Sequence, residues 1–327
     1  MAVISYLEAV SQALREEMQQ DSRVFVLGED VGVRGGVFRV TQGFHEEFGE
    51  QRVIDTPLSE AAIAGVSIGA AAHGMRPVAE IQFAEYIMPA VNQIVNEAAK
   101  MRYRSNGDWN CPLVIRAPYG GGVRGALYHS QSVEAMFCCI PGLKVVTPST
   151  PYDAKGLLKA AIRDEDPVIF FEHKRCYRSI KGEVPVSDYT VPIGKADIKQ
   201  QGEDITVISY GLTLHFALKA AEQLSKDGYS AHILDLRTLY PLDKEAIVEA
   251  ARKTGKVLII HEDNKEGGVG AEVAAIIAEE CLYELDAPIK RLCAPDVPAM
   301  PYSLPMEKFF MLNPDKVYQA MKELAEL

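Results

Sequence analysis

Glu60 stands at the mouth of a run of small and apolar residues, Ala61-Ala62-Ile63-Ala64-Gly65-Val66-Ser67-Ile68-Gly69, and is preceded by Asp55-Thr56-Pro57-Leu58-Ser59. Thr56 followed by Pro57 is a helix-start signal, because Pro is pre-set for the first helical position. An acid placed there has two readings. It complements the helix dipole in the first turn, or it is a carboxyl in a dry site, poised to share a proton with a ligand. Gly65 and Gly69 leave one face of this helix bare, open to close approach by another backbone. His129 lies in Ala126-Leu127-Tyr128-His129-Ser130-Gln131-Ser132, on an expected loop leaving the carboxyl end of a strand, where ligands bind in open α/β sheets. It is either catalytic or an ordinary loop histidine bonded to backbone. Gln82, Phe83 and Tyr86 follow another expected strand, and such aromatics stack on a flat heterocycle or simply fill the core.

Other candidates are weaker. Gly120, Gly122 and Gly125 make a formal G-x-G-x-x-G, but no acid ends the next strand about 20 residues on, as a dinucleotide site requires. His73 follows a helix, His215 lies early in one, and His261, at a strand end, ranks second to His129. No pair of histidines has metal-ligand spacing, and no G-x-S-x-G suggests acyl-enzyme chemistry. The six cysteines include an adjacent pair but no C-x-x-C, which reads as reduced thiols of a cytoplasmic protein. A net charge of −11, with no Lys/Arg run, argues against nucleic acid. The longest apolar stretch, 61–72, is too short to span a bilayer, and neither a signal nor a transit peptide is visible.

The elements that must position these residues alternate along the chain. Apolar runs at 24–27, 77–83, 113–116, 143–146 and 168–171 read as buried strands. An amphipathic helix is expected over 1–14, another face at Val91, Ile94, Val95 and Ala98, and a third helix from Thr150-Pro151 to about Arg163. Strands recur at 205–209, 231–236 and 257–260, with helices around 214–224, 267–282 and 313–326. Such alternation predicts mostly parallel sheets flanked by helices, an α/β architecture. With 327 residues the length suits two domains. The pattern lapses in 181–203, so the expected organisation is an α/β domain over 1–185, a linker over 186–203 and a second α/β domain over 204–327.

Taken together, L-G-E-D-V-G at 27–32, G-G-V-F-R-V-T at 35–41, D-T-P-L-S-E at 55–60, A-L-Y-H-S-Q-S at 126–132, P-G-L-K-V-V-T-P-S-T-P-Y-D-A-K-G-L-L at 141–158 and L-R-T-L-Y-P-L-D at 236–243 resemble one family over essentially the whole chain. It is the β subunit of the thiamine-diphosphate-dependent 2-oxo acid dehydrogenases, a transketolase-like group. The L-Y-H-S-Q-S form leans to the branched-chain type over the pyruvate and acetoin types. The resemblance implies a pyrimidine-binding domain followed by a transketolase C-terminal-like domain, and oxidative decarboxylation of a 2-oxo acid with acyl transfer to a lipoyl arm. Glu60 matches the family glutamate that hydrogen-bonds the aminopyrimidine, Tyr86 matches an aromatic lining that pocket, and Gln82 is a neighbour. His129 matches the histidine that serves acyl transfer.

The resemblance also says what this chain leaves to others. The Gly-Asp-Gly and Asn that hold the diphosphate and its magnesium are not present, so an α subunit must supply them, in an α2β2 tetramer. The dihydrolipoyl acyltransferase core, with its lipoyl domain, is the implied second partner. A structural potassium site is implied at Cys111, Leu113, Val114, Ala161, Asp164 and Asp166, mostly through backbone carbonyls. A non-catalytic scaffold subunit is the alternative of another class.

Overall fold

Ser5 ends one element and caps the next, and this local chemistry sets the start of the chain. Its hydroxyl accepts from Glu8 N at 3.2 Å while its own N–H donates to Glu8 Oε2 at 2.7 Å, a reciprocal capping box. The helix therefore begins at Tyr6 and runs to Gln20, not from Met1 as periodicity suggests. Residues Ala2–Ser5 form β1 instead, antiparallel to a strand at Lys181–Val184. The partner lies far along the chain, so helical spacing of Val3 and Tyr6 could not reveal it.

The computed structural model describes all 327 residues and divides into two units, Met1–Tyr119 with Met136–Ile193, and Gly120–Ala135 with Gly194–Leu327. In the first unit the principal strands are β2 (Val24–Gly28), β3 (Val53–Asp55), β4 (Arg76–Glu80), β5 (Val114–Tyr119), β6 (Lys144–Val146) and β7 (Val168–His173), with β8 at Lys181–Val184. Their order is β6-β7-β5-β4-β2-β3, parallel at every pairing. β2, β5 and β7 are buried along their whole length, as parallel strands covered on both faces must be. Thr150 caps the helix Pro151–Arg163 by accepting from Asp153 N, as the Thr-Pro signal predicts. That helix packs on Tyr6–Gln20, where Lys155 and Lys159 reach Glu16 and Arg163 reaches Glu17. The face expected at 91–98 is a tighter 3₁₀ turn over Ala84–Ala90, interrupted by Pro89, then a wider π turn over Gln93–Ala98.

The order of strands decides where a ligand goes. From β2 the chain moves to β3 on one side; from β4 it moves to β5 on the other. β2 and β4 are neighbours and end level, Gly28 opposite Glu80. Their carboxyl ends therefore border the switch-point crevice where open α/β sheets bind ligands.

In the second unit, β9 (Asp197–Gln200), β10 (Ile205–Ser209), β11 (Ala231–Asp235), a short β12 (Thr238–Tyr240), β13 (Val257–Asn264) and β14 (Lys290–Ala294) alternate with helices. The sheet order is β14-β13-β10-β11-β9, parallel except at the β9 edge. Helices Leu212–Leu224 and Pro314–Ala325 form one packed pair, and Lys244–Thr254 and Val269–Cys281 another. Two boundaries differ from the sequence reading. β9 lies inside the expected 186–203 linker, and the segment 120–135 belongs with the second unit, not the first. Both depend on backbone partners distant in sequence. No helix is long and apolar enough to cross a membrane, and all six cysteines are free thiols.

Candidate active site

Glu60 is the first residue of the helix Glu60–Ala72. The Thr56-Pro57 pair does not cap it; Ser59 does, without a side-chain hydrogen bond. Thr56 N instead donates to Gly28 O at 2.9 Å, which ties the approach to the helix against the end of β2. The helix buries Ile63, Ala64, Ser67, Ile68 and Ala71 on one face, and Glu60 shares that face at only 8% exposure. None of the hydrogen bonds within the chain goes to its carboxylate, and its oxygens are not among the buried atoms left without a partner, so the group stays open to the crevice and can take a ligand's donor.

The crevice adds a second acid. Glu29, just beyond β2, is 9% exposed, and its carboxyl is pushed above the ordinary glutamate value, first by burial and then by Glu60 and Asp30. Gln82 Nε2 donates to the Glu29 carbonyl at 3.4 Å. The Tyr86 hydroxyl is pushed up by burial, then by Glu85, Glu60 and Glu29, so these groups feel one another electrostatically. Phe83 meets Tyr86 edge-on at 5.4 Å, and Phe38 meets Phe83 at 5.6 Å, giving one side an aromatic wall. The structure thus brings Glu60, Gln82 and Tyr86 together and adds Glu29, which sequence reasoning passed over. Its position at a strand end beside the switch point was the available signal.

Beneath this crevice lies a buried charge cluster that was not anticipated. Arg116 on β5 donates through Nη1 to Glu80 on β4 at 2.5 Å, and through Nε and Nη2 to both oxygens of Glu172 on β7 at 2.7 Å. Tyr177 donates its hydroxyl to Glu172 as well. Burial opposes the guanidinium charge, but Glu172 and Glu80 more than offset it and hold the group above its ordinary value.

His129 lies on the segment assigned to the second unit and is half-buried. The glycines around it serve a tight loop. Gly120 N donates to Gln131 O at 2.9 Å, Gly120 and Gly122 have φ of 83° and 78°, and a Cβ on Gly125 would meet His129 Cβ at 2.5 Å. Only a three-residue 3₁₀ turn, Ala126–Tyr128, follows them, so the helix that a dinucleotide fingerprint demands is not there. His261 is a core residue. Its Nε2 accepts from Gly270 N at 3.2 Å and lies 3.3 Å from Cys293 Sγ, and burial pushes it down to about 4.

The six positions implied for potassium are already engaged. Leu113 O accepts from Val168 N, Cys111 O from Leu113 N and Ala161 O from Asp164 N. Arg76 Nη1 donates to Asp164 O and Ile162 O, each at 2.9 Å. Lys144 holds the Asp164 carboxylate, Arg102 that of Asp166, and Val114 is paired within β5. Arg76 holds only one of the six, the Asp164 carbonyl, where its charge would oppose a cation; the carbonyls of Cys111, Leu113 and Ala161 each take one backbone N–H and keep a second lone pair.

Comparison with known proteins gives the family. The family "Transketolase, pyrimidine binding domain" matches residues 2–179, and "Transketolase, C-terminal domain" matches 194–317. The 2-oxoisovalerate dehydrogenase subunit beta of Bacillus subtilis (strain 168) is 72% identical over 326 residues, covering 100% of both chains. The pyruvate dehydrogenase E1 component subunit beta of the same organism is 46% identical, again over 100% of both. A solved structure described as a split gene transketolase, inactive beta4 tetramer, superposes with a TM-score of 0.79 at 26% identity, covering 99% of each chain. The matches span both α/β units, and the identity is far higher to the 2-oxoisovalerate type than to the pyruvate type. The chain belongs to the β subunits of the 2-oxo acid dehydrogenases, a transketolase-related family, and is of the branched-chain kind.

Proposed function

We propose that this chain binds the aminopyrimidine half of thiamine diphosphate at the β2–β4 switch point and, with an α subunit, decarboxylates a branched-chain 2-oxo acid. One observation carries the reading: Glu60 is a mostly buried acid at the first turn of its helix whose carboxylate is not tied up by the chain and not sealed from the crevice. A ring nitrogen bearing a proton is the partner such a group needs. When bound, the cofactor supplies the carbanion chemistry that decarboxylation requires.

The chain's own residues supply orientation and proton control. Glu60 accepts a hydrogen bond from the pyrimidine nitrogen and holds the ring in one protonation state. Glu29, whose carboxyl is raised by burial and by Glu60, keeps a second proton-binding group within the same crevice. Tyr86 and Phe83 exclude water and face the flat heterocycle. His129 serves the transfer of the acyl group to a lipoyl arm of the acyltransferase. The α subunit provides the magnesium and diphosphate site in an α2β2 enzyme. The helix face at Gly69 is its contact surface: Gly69 is exposed, and a Cβ there would meet nothing within 4 Å, whereas a Cβ on Gly65 would already meet Gln93 Cγ at 3.8 Å. Six free thiols suit a reducing cytoplasm.

The test is Glu60→Gln in the co-expressed α/β pair. Decarboxylation, followed with an artificial electron acceptor, should fall by about 10²- to 10⁴-fold, the range for loss of a positioned proton-transfer group, while gel filtration shows assembly intact. Retention of most turnover would refute the role of Glu60. Steady-state rates with branched 2-oxo acids should exceed those with pyruvate.

A further inference from the structure

The segment that carries His129 has little structure of its own. It is a glycine-rich loop with one three-residue 3₁₀ turn, and Arg124 and Ala126 adopt φ of 60° and 53°, a conformation non-glycine residues hold only when their surroundings impose it. What imposes it is a set of carboxylates. Before His129, Gly121 N–H donates to Glu262 Oε1 at 2.5 Å and Arg124 N–H donates to Glu307 Oε1 at 3.1 Å. After it, Glu134 Oε1 accepts from Tyr210 OH at 2.9 Å, and Asp263 accepts from the backbone of Ala135.

Glu262 and Glu307 are 6% and 4% exposed. They belong to β13 and to the helix Leu304–Phe310, both in the second unit. A carboxylate accepting a backbone N–H out of water makes a strong, directional bond, and a half-ångström error in a catalytic side chain is felt. Gly121 also needs its missing side chain, since a Cβ would meet Met300 Cε at 2.3 Å. The backbone is therefore pressed against the second unit where Glu262 takes its N–H.

We propose that Glu262 is a positioning residue for His129, with Glu307 as a second anchor: by holding the N–H groups of Gly121 and Arg124 they set where the imidazole stands. The proposal rests on the acyl-transfer role given to His129. In the assembled enzyme supplied with a lipoyl domain, Glu262→Ala should lower lipoyl acylation by about 10²-fold, the scale of a 1 Å misplacement, while decarboxylation with an artificial acceptor falls far less. Glu262→Gln, which keeps an acceptor for Gly121 N–H, should restore most of the acylation rate. Amides 121–130 should exchange hydrogen faster in Glu262→Ala than in the parent. Adding Glu262→Ala to His129→Ala should lower acylation little further, because both act through one imidazole. Unchanged exchange in 121–130, or losses that multiply in the double variant, would overturn the positioning role alone. A His129→Ala enzyme that acylates the lipoyl domain normally would overturn it through the reading beneath it.

Discussion

Arg116→Ala is the sharpest physical test of the frame under the candidate active site. The guanidinium is wholly buried between Glu80 and Glu172, themselves buried on the two neighbouring strands. Truncating it removes the only cation bonded to either carboxylate and leaves two anions facing each other out of water. Breaking a buried pair in this way costs about 3–5 kcal/mol. An independent bound agrees. The folded variant can escape by protonating one glutamate, and doing so at pH 7 from an ordinary value of 4.5 costs about 3.4 kcal/mol. That escape fixes the sign of the pH dependence. A glutamate whose folded value is raised contributes stability that is complete below its unfolded value and is lost as pH rises through the folded one. Glu80 is already raised by burial, against the opposing pull of Arg116, and losing Arg116 raises it further. The deficit of the variant should therefore be largest near pH 7.5 and should shrink towards pH 5. Native-state hydrogen exchange of the β4, β5 and β7 amides, corrected for intrinsic exchange, reads the difference directly. A deficit below about 1 kcal/mol, or one equal at both pH values, would refute the argument.

Two further outcomes follow from particular residues. Gly69→Leu should leave the melting temperature of the β chain unchanged or slightly raised, since leucine is the better helix former by just under 1 kcal/mol and nothing lies within 4 Å of its Cβ position; association with the α subunit should weaken at least about tenfold, roughly 1.4 kcal/mol, by analytical ultracentrifugation, and unchanged association would remove this face from the interface. Asp263 is pushed up to about 6, chiefly by burial, so its contribution to stability is complete below its unfolded value and is lost as pH rises through about 6; Glu134 beside it is raised as well. Asp263→Asn should remove a fall in stability that totals about 1.3 kcal/mol between pH 5 and 7 and is steepest below pH 6, and superimposable profiles for the two proteins would contradict that.

Much of this protein is legible in its residue order. The alternation of buried runs and amphipathic stretches marks a two-part parallel α/β fold, because side-chain period reflects only the local element. Thr150-Pro151 places a helix start correctly, and Glu60 before a charge-free apolar helix marks the buried acid. The Tyr-His-Ser-Gln stretch draws attention to His129 without any coordinates. What could not be seen is whatever depends on which distant strands become neighbours. Helical spacing at the N-terminus hid β1, whose partner is β8. Glu29 carries no signal of its own in the residue order, and only the β2–β4 switch point sets it where it feels Glu60. Arg116 met its two glutamates only because β4, β5 and β7 lie side by side, and the loop of His129 joined the second unit through bonds to residues remote in sequence, Glu262 and Glu307 among them. Period and composition are properties of adjacent residues, so they specify elements and chemically apt side chains. Pairing between remote segments is decided by strand order and packing, and that decision alone turned scattered acids into a site.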